Sequence, residues 1–337
     1  MDSIFVLLTM VSASTLTIER LMNRLLPSAI TPTACLVVAV FLVVGCAEEV
    51  PADYEAFHAP ATQLGLLTIV YSETGIPGSS NPTVIVDGVF SRASGFTHDD
   101  VLYAVNLPNT PDRIGTALGT GDCEIVVQRL GQPLTAAGDS PFIELMDVGE
   151  IRVRFGTEEY RLTRRSFPEL FEQVHGVTYD AVLSDTERNI LGNGAMVEGL
   201  GSETVGDFRV DIRAPHVPRL LAIDGQPVTT HYASLPWDRD IRVRWLVDER
   251  TPPTQAGVVY LELNAIQLDQ TASLRCVVED TGTALLPRTG IQELLPNIND
   301  TTTLRMVVRR ITEVDFSAPG LHGGMVFFIS RDSVLIE

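Results

Sequence analysis

The side chains able to do covalent or acid–base chemistry are few. Four cysteines (Cys35, Cys46, Cys123 and Cys276) and six histidines accompany 43 acidic residues, and all 24 basic residues are arginine. Without lysine there is no ammonium for a Walker-type phosphate loop, a pyridoxal Schiff base or a Ser–Lys dyad, because arginine neither acts as a compact point charge nor gives up its proton. Those three mechanisms are excluded. The formal charge of −19 argues against nucleic acid as a partner, since both nucleic acid and anionic surfaces require clustered positive charge. Its plain role is solubility.

Motifs that would assemble a reaction centre are missing. The sequence has no His-Glu-x-x-His, Cys-x-x-Cys or Gly-x-Ser-x-Gly, and no twelve-residue calcium loop. His98-Asp99-Asp100 could hold a metal or orient a base, but it reads first as an exposed polar turn. Asp238, Asp240 and Asp248-Glu249 flank a strand and could share Ca²⁺, against a plainer reading as solvated loop acids. Gly115–Asp122 is glycine-rich but has neither a lysine nor a following helix, so it reads as a loop. Neither a cofactor nor a metal site is expected. Trp237 follows Pro236 at a strand entrance and is the candidate ligand contact, able to stack on a sugar or a partner surface if exposed. Packing at a domain edge is its other reading.

Strands must position these residues. Period-two alternation dominates after residue 62, with turn-forming Gly, Pro, Asn and Asp between the runs. Strands are expected at Leu64–Tyr71, Thr83–Phe90, Cys123–Leu130, Glu150–Phe155, Glu158–Thr163, Val177–Val182 and Asp207–Ile212. A second set comprises Arg219–Ile223, Ile241–Val247, Val258–Asn264, Leu274–Val278, Thr303–Arg310, Met325–Ser330 and Val334–Ile336. Short helical turns are expected at Phe167–Val174 and Gly290–Leu295. Trp245 lies in phase with Ile241 and Val243 and is therefore assigned to the core. Ile151-Arg-Val-Arg-Phe155 is echoed by Ile241-Arg-Val-Arg-Trp245, as a duplication would give and as any half-buried strand in a lysine-free protein would also give.

Near the N-terminus, Arg24 precedes an apolar run from Ala34 to Val44, which is followed by Gly45-Cys46 and Glu48-Glu49. The run is too short to span hydrocarbon and suits a signal-peptide core. Val43-Val44-Gly45-Cys46 resembles the lipobox of bacterial lipoproteins. The resemblance implies cleavage before Cys46, a diacylglyceryl thioether on its sulfur, and acylation (palmitate) of its nitrogen as a membrane anchor. Residues 1–45 are then a leader whose true start is Met22, with a signal peptide at 22–45. Residues 46–62 are the lipidated cysteine and its linker. By the same resemblance Ala47 favours the outer membrane.

The strand order, with Gly121–Val127, the two Ile-Arg-Val-Arg segments, Asp207–Pro215 and Leu274–Val278, resembles bacterial lipoproteins built from immunoglobulin- or fibronectin-like sandwiches. That resemblance implies an all-β protein with two tandem immunoglobulin-like domains, 63–215 and 216–337, divided at the proline-rich Ala214–Pro218. It carries no catalytic residues. Once exported, Cys123 and Cys276 could form a disulfide clamping the two domains, or remain as two buried thiols. The expected function is a noncatalytic envelope protein for binding, adhesion or structure, anchored through Cys46, with an envelope protein or glycan as partner. The alternative is an envelope hydrolase using carboxylates, which requires two convergent acids, one of raised pKa.

Overall fold

The computed structural model describes residues 62–72, 82–94, 118–129, 142–171, 174–184, 194–228, 232–233, 235–247 and 258–336. The first half supplies β1 (Thr62–Ser72), β2 (Thr83–Ser94), β3 (Cys123–Arg129), β4 (Phe142–Leu145), β5 (Ile151–Phe155), β6 (Glu158–Arg161), β7 (Thr163–Phe171), β8 (Val174–Ser184), β9 (Ala195–Gly199) and β10 (Phe208–Ile212). The second supplies β11 (Leu220–Ile223), β12 (Gln226–Pro227), β13 (Tyr232–Ala233), β14 (Ile241–Trp245), β15 (Val258–Ile266), β16 (Gln270–Glu279), β17 (Thr283–Leu286), β18 (Thr303–Phe316) and β19 (Gly323–Ile336). Helix α1 (Arg288–Leu294) and a 3-10 turn at Leu295–Asn297 follow β17. Among the described residues the fold is all-β apart from these short helical pieces.

One eleven-stranded sheet forms the base, in the order β3-β16-β15-β18-β19-β1-β2-β4-β8-β7, with β13 added beside β19. Two four-stranded antiparallel sheets, β10-β9-β5-β6 and β12-β11-β14-β17, lie over its inner face. Alternation explains the covering sheets. In β5 and β14 the Ile, Val and aromatic residues are buried and the arginines are not, so one face meets the core and the other meets water. Two cores result. Ile151, Val153 and Phe155 pack on Leu67, Ile69 and Phe328 in the first, while Ile241, Val243 and Trp245 pack on Leu261, Leu263 and Met306 in the second.

The long strands β18 and β19 run beneath both covering sheets. On β19, Val326 and Phe328 belong to the first core and Val334 and Ile336 to the second, all on one face by their even spacing. Their opposite face carries a third apolar cluster, including Leu66, Val70, Phe327 and Ile329. Close packing at the far end depends on glycine. Gly65 and Gly324 pair across the parallel β1–β19 ladder, and a Cβ on Gly324 would come within 2.3 Å of the Phe316 ring. Phe316 in turn stacks on Phe208 at 4.7 Å.

These pairings correct several expectations. Residues Ala56–Glu337 form one compact unit, and residues 63–215 and 216–337 are two lobes sharing a sheet rather than two independent domains. Strand pairing is the reason: β1 joins β19, and β3 joins β16, across the expected boundary. Segment 214–218 carries the chain from one covering sheet to the other. Thr62, expected in the linker, already belongs to β1, and Met325–Ser330 and Val334–Ile336 are parts of one strand. The described residues of Phe167–Val174 are strand, not helix. The segment holds the irregular pairing of β7 with β8, where Pro168 falls in the register break and no ladder N–H is needed from it.

The two covering sheets share a plan: in each, a two-residue hairpin leads, and a later strand adds beside its first strand. Yet Ile151–Phe155 forms the first strand of one, and Ile241–Trp245 the third of the other. Their echo reflects half-buried strand chemistry, not equivalent positions.

Candidate functional site

Two adjacent residues of β18 send their guanidiniums to opposite faces of the large sheet, and each organises a buried polar network. On the inner face Arg310 lies between the two cores. Its Nε donates to Asp280 Oδ2 at 2.6 Å and its Nη2 to Asp280 Oδ1 at 2.9 Å, while Nη1 and Nη2 reach the carbonyls of His216 (2.9 Å) and Leu246 (2.8 Å). Trp245 Nε1 also donates to Asp280 Oδ1 at 2.9 Å. Nearby, Ser330 Oγ donates to the Pro215 carbonyl at 2.7 Å, and Asp332 Oδ2 accepts from Leu220 N–H at 2.8 Å. The crossover 214–218 has buried carbonyls that no ladder can satisfy, and these side chains satisfy them. The seam is a structural fastening between lobes.

On the outer face, Glu262 of β15 is buried and accepts from Arg275 Nε at 2.9 Å and from Arg309 Nη2. Arg275 also lies 3.8 Å from Glu124, and the Arg309 guanidinium sits 5.4 Å above the Tyr260 ring. Burial pushes the Glu262 carboxyl upward, but Arg309 and Arg275 outweigh it and hold the group below the usual carboxylate range. Arg331 of β19 stands opposite Arg309 in the ladder, and Arg305 lies on the same face of β18. Burial, then Arg309 and Arg305, bring the Arg331 guanidinium down to about 10, with Glu262 opposing. Burial also lowers Arg305. This arginine-rich face is the candidate binding site.

A third cluster surrounds Asp147. Tyr179 O–H donates to Asp147 Oδ1 at 2.7 Å and accepts from Val148 N–H, and Arg164 Nη2 lies 2.6 Å from Asp147 Oδ2. Burial, then the bond to Asp147, raises the Tyr179 phenol above its ordinary value. Ser202 Oγ donates to the Asp147 carbonyl at 2.8 Å and is shared with Thr204, with no histidine as its base. Such bonds pin a turn.

The expected site residues fall in several places. Cys46, His98-Asp99-Asp100 and Asp248-Glu249 lie outside the described residues. Cys123 and Cys276 face each other in the β3–β16 ladder and are joined as a disulfide. It ties two strands of one sheet, rather than clamping two separate domains. Trp237 is partly buried and packs against the second core, whereas Trp245 lies within that core. Asp238 is exposed, and Asp240 Oδ1 accepts from Arg288 N–H at 2.8 Å, serving the start of α1. In Gly115–Asp122, the described part turns into β3, with Gly119 N–H bonded to Asp122 Oδ2. Sequence reasoning missed the outer-face arginines. They lie on three strands, and only the nonlocal pairing assembles them.

A cavity of about 240 Å³ opens among Leu64, Leu66, Phe316 and Met325, with Asp315 as its one acid. Among the described residues no group of three His, Cys, Asp or Glu side chains is placed to hold a metal, and no helix is long and apolar enough to cross a membrane. No protein-family model matches the chain, and no curated protein matches it.

Proposed function

We propose that this chain is a lipid-anchored protein of the bacterial cell envelope, held to the membrane through Cys46. Its folded part is a noncatalytic binding or structural module made of two immunoglobulin-like sandwich lobes on a shared sheet, facing an envelope protein or glycan. The observation that supports a noncatalytic role is the state of Glu262 and Asp280. Glu262 and Asp280 are each neutralised by arginine, and Glu262 is held low, where a carboxylate hydrolase needs an acid held high. The Cys123–Cys276 disulfide supports export, because such bonds persist in oxidising compartments. The lipobox-like Val43–Cys46 supports anchoring, and Ala47 the outer membrane as destination.

Labelling with radioactive palmitate in a bacterial host, followed by membrane fractionation, tests the anchor. The natural chain is expected to incorporate label and sediment with membranes, and Cys46→Ser to do neither. A natural chain that takes no label, or a variant that still sediments with membranes, overturns it.

A further inference from the structure

We propose that the outer face of the large sheet around Arg331, Arg305 and Arg309 binds a doubly charged oxyanion of the phosphate class. The proposal deepens the binding-module reading and rests on it, though not on the lipid anchor. Charge balance is the first argument. Of the guanidiniums on this face, Arg275 and Arg309 share Glu262, whereas among the described residues Arg305 and Arg331 pair with no carboxylate, in a chain whose net charge is −19. Register is the second. Arg309 and Arg331 are directly opposed on neighbouring strands, where like charges repel unless an anion lies between them.

Access is the third argument. Arg275, Arg309 and Glu262 are buried, whereas Arg331 and Arg305 are half-buried, so the cluster opens to solvent on their side. Among the described residues no carboxylate lies within ion-pair distance of Arg331 or Arg305. Buried Ser72 pairs with Arg331 in the parallel ladder and shares its face. Forked guanidiniums match the several acceptor oxygens of a phosphate, and two guanidiniums without a carboxylate match a dianion better than a monoanion. The lowered proton affinity of Arg331 agrees with this, since an arginine crowded by its own kind gains most from a bound anion.

The test uses the purified full chain, titrated calorimetrically with inorganic phosphate, with acetate as the monoanion control. Melting is followed in phosphate and in chloride at equal ionic strength. One-site binding of phosphate, a raised melting temperature and no binding of acetate are expected. Arg331→Gln and Arg305→Gln should each weaken phosphate binding about tenfold or more, and Arg244→Gln, on the solvent face of β14, should leave it unchanged. Melting of both variants in chloride at no lower temperature than the natural chain shows that they fold. A natural chain that ignores phosphate overturns the proposal, as do folded variants that bind it unchanged. Short-chain phosphatidic acid below its micelle concentration separates the sources: tighter binding than inorganic phosphate assigns a lipid headgroup, and equal binding assigns the free ion. Co-sedimentation with purified peptidoglycan separates the failures. Peptidoglycan binding without phosphate binding overturns the anion site alone, and loss of both overturns the binding-module reading too.

Discussion

Arg309 and Arg310 are neighbours in β18 and both are buried, yet one lies beside half-buried arginines that pair with no carboxylate and the other in a closed network. Arg310 meets both oxygens of Asp280 and two backbone carbonyls, and the indole of Trp245 completes the carboxylate. Arg309 shares Glu262 with Arg275 and stands opposite Arg331. A strand alternates its faces, so one step along the chain separates a fastening between lobes from a surface that still attracts anions. Burial of an arginine therefore does not reveal its role; the balance of charge around it does.

The largest expected effect comes from opening the closed network. Asp280→Asn leaves Arg310 buried without a counter-charge, and urea unfolding should show a loss of about 3–5 kcal/mol. A loss below about 1 kcal/mol would mean that the seam does not fasten the lobes. A smaller effect is expected from acid. The folded pKa of Glu262 lies below the ordinary value of 4.5, so its contribution is complete above that pH and is lost as pH falls through the lower folded value. Stability measured from pH 6 downward should therefore fall more steeply below pH 4.5 in the natural chain than in Glu262→Gln. Parallel slopes would show that Glu262 carries no such linkage.

Local patterns were legible in the sequence, and distant partners were not. Ile151–Phe155 and Ile241–Trp245 announce half-buried strands, and the phase of Trp245 places it in the core because the period of a strand is two. Central strands such as β1 are buried on both faces and read as plain apolar runs, which say nothing of their neighbours. The parallel pairing of β1 with β19 joins strands far apart in sequence, and no local signal encodes it. Proline at 214–218 reads as a domain boundary, whereas the segment is a crossover between covering sheets, which resembles a boundary when the sheet beneath is unseen. The same blindness hid the candidate site. Arg275, Arg305, Arg309 and Arg331 lie on three strands, and only the ladder registers bring them to one face.

The most direct measurement compares Arg310→Gln with Arg331→Gln by urea unfolding in chloride at pH 7. Arg310→Gln removes the partner of buried Asp280 and should cost about 3 kcal/mol or more. Arg331→Gln relieves repulsion from Arg309 and Arg305 and should cost nothing or stabilise the fold. Equal and large losses in the two variants would contradict the account, because Arg331 would then be a second fastening and not part of an open anion site.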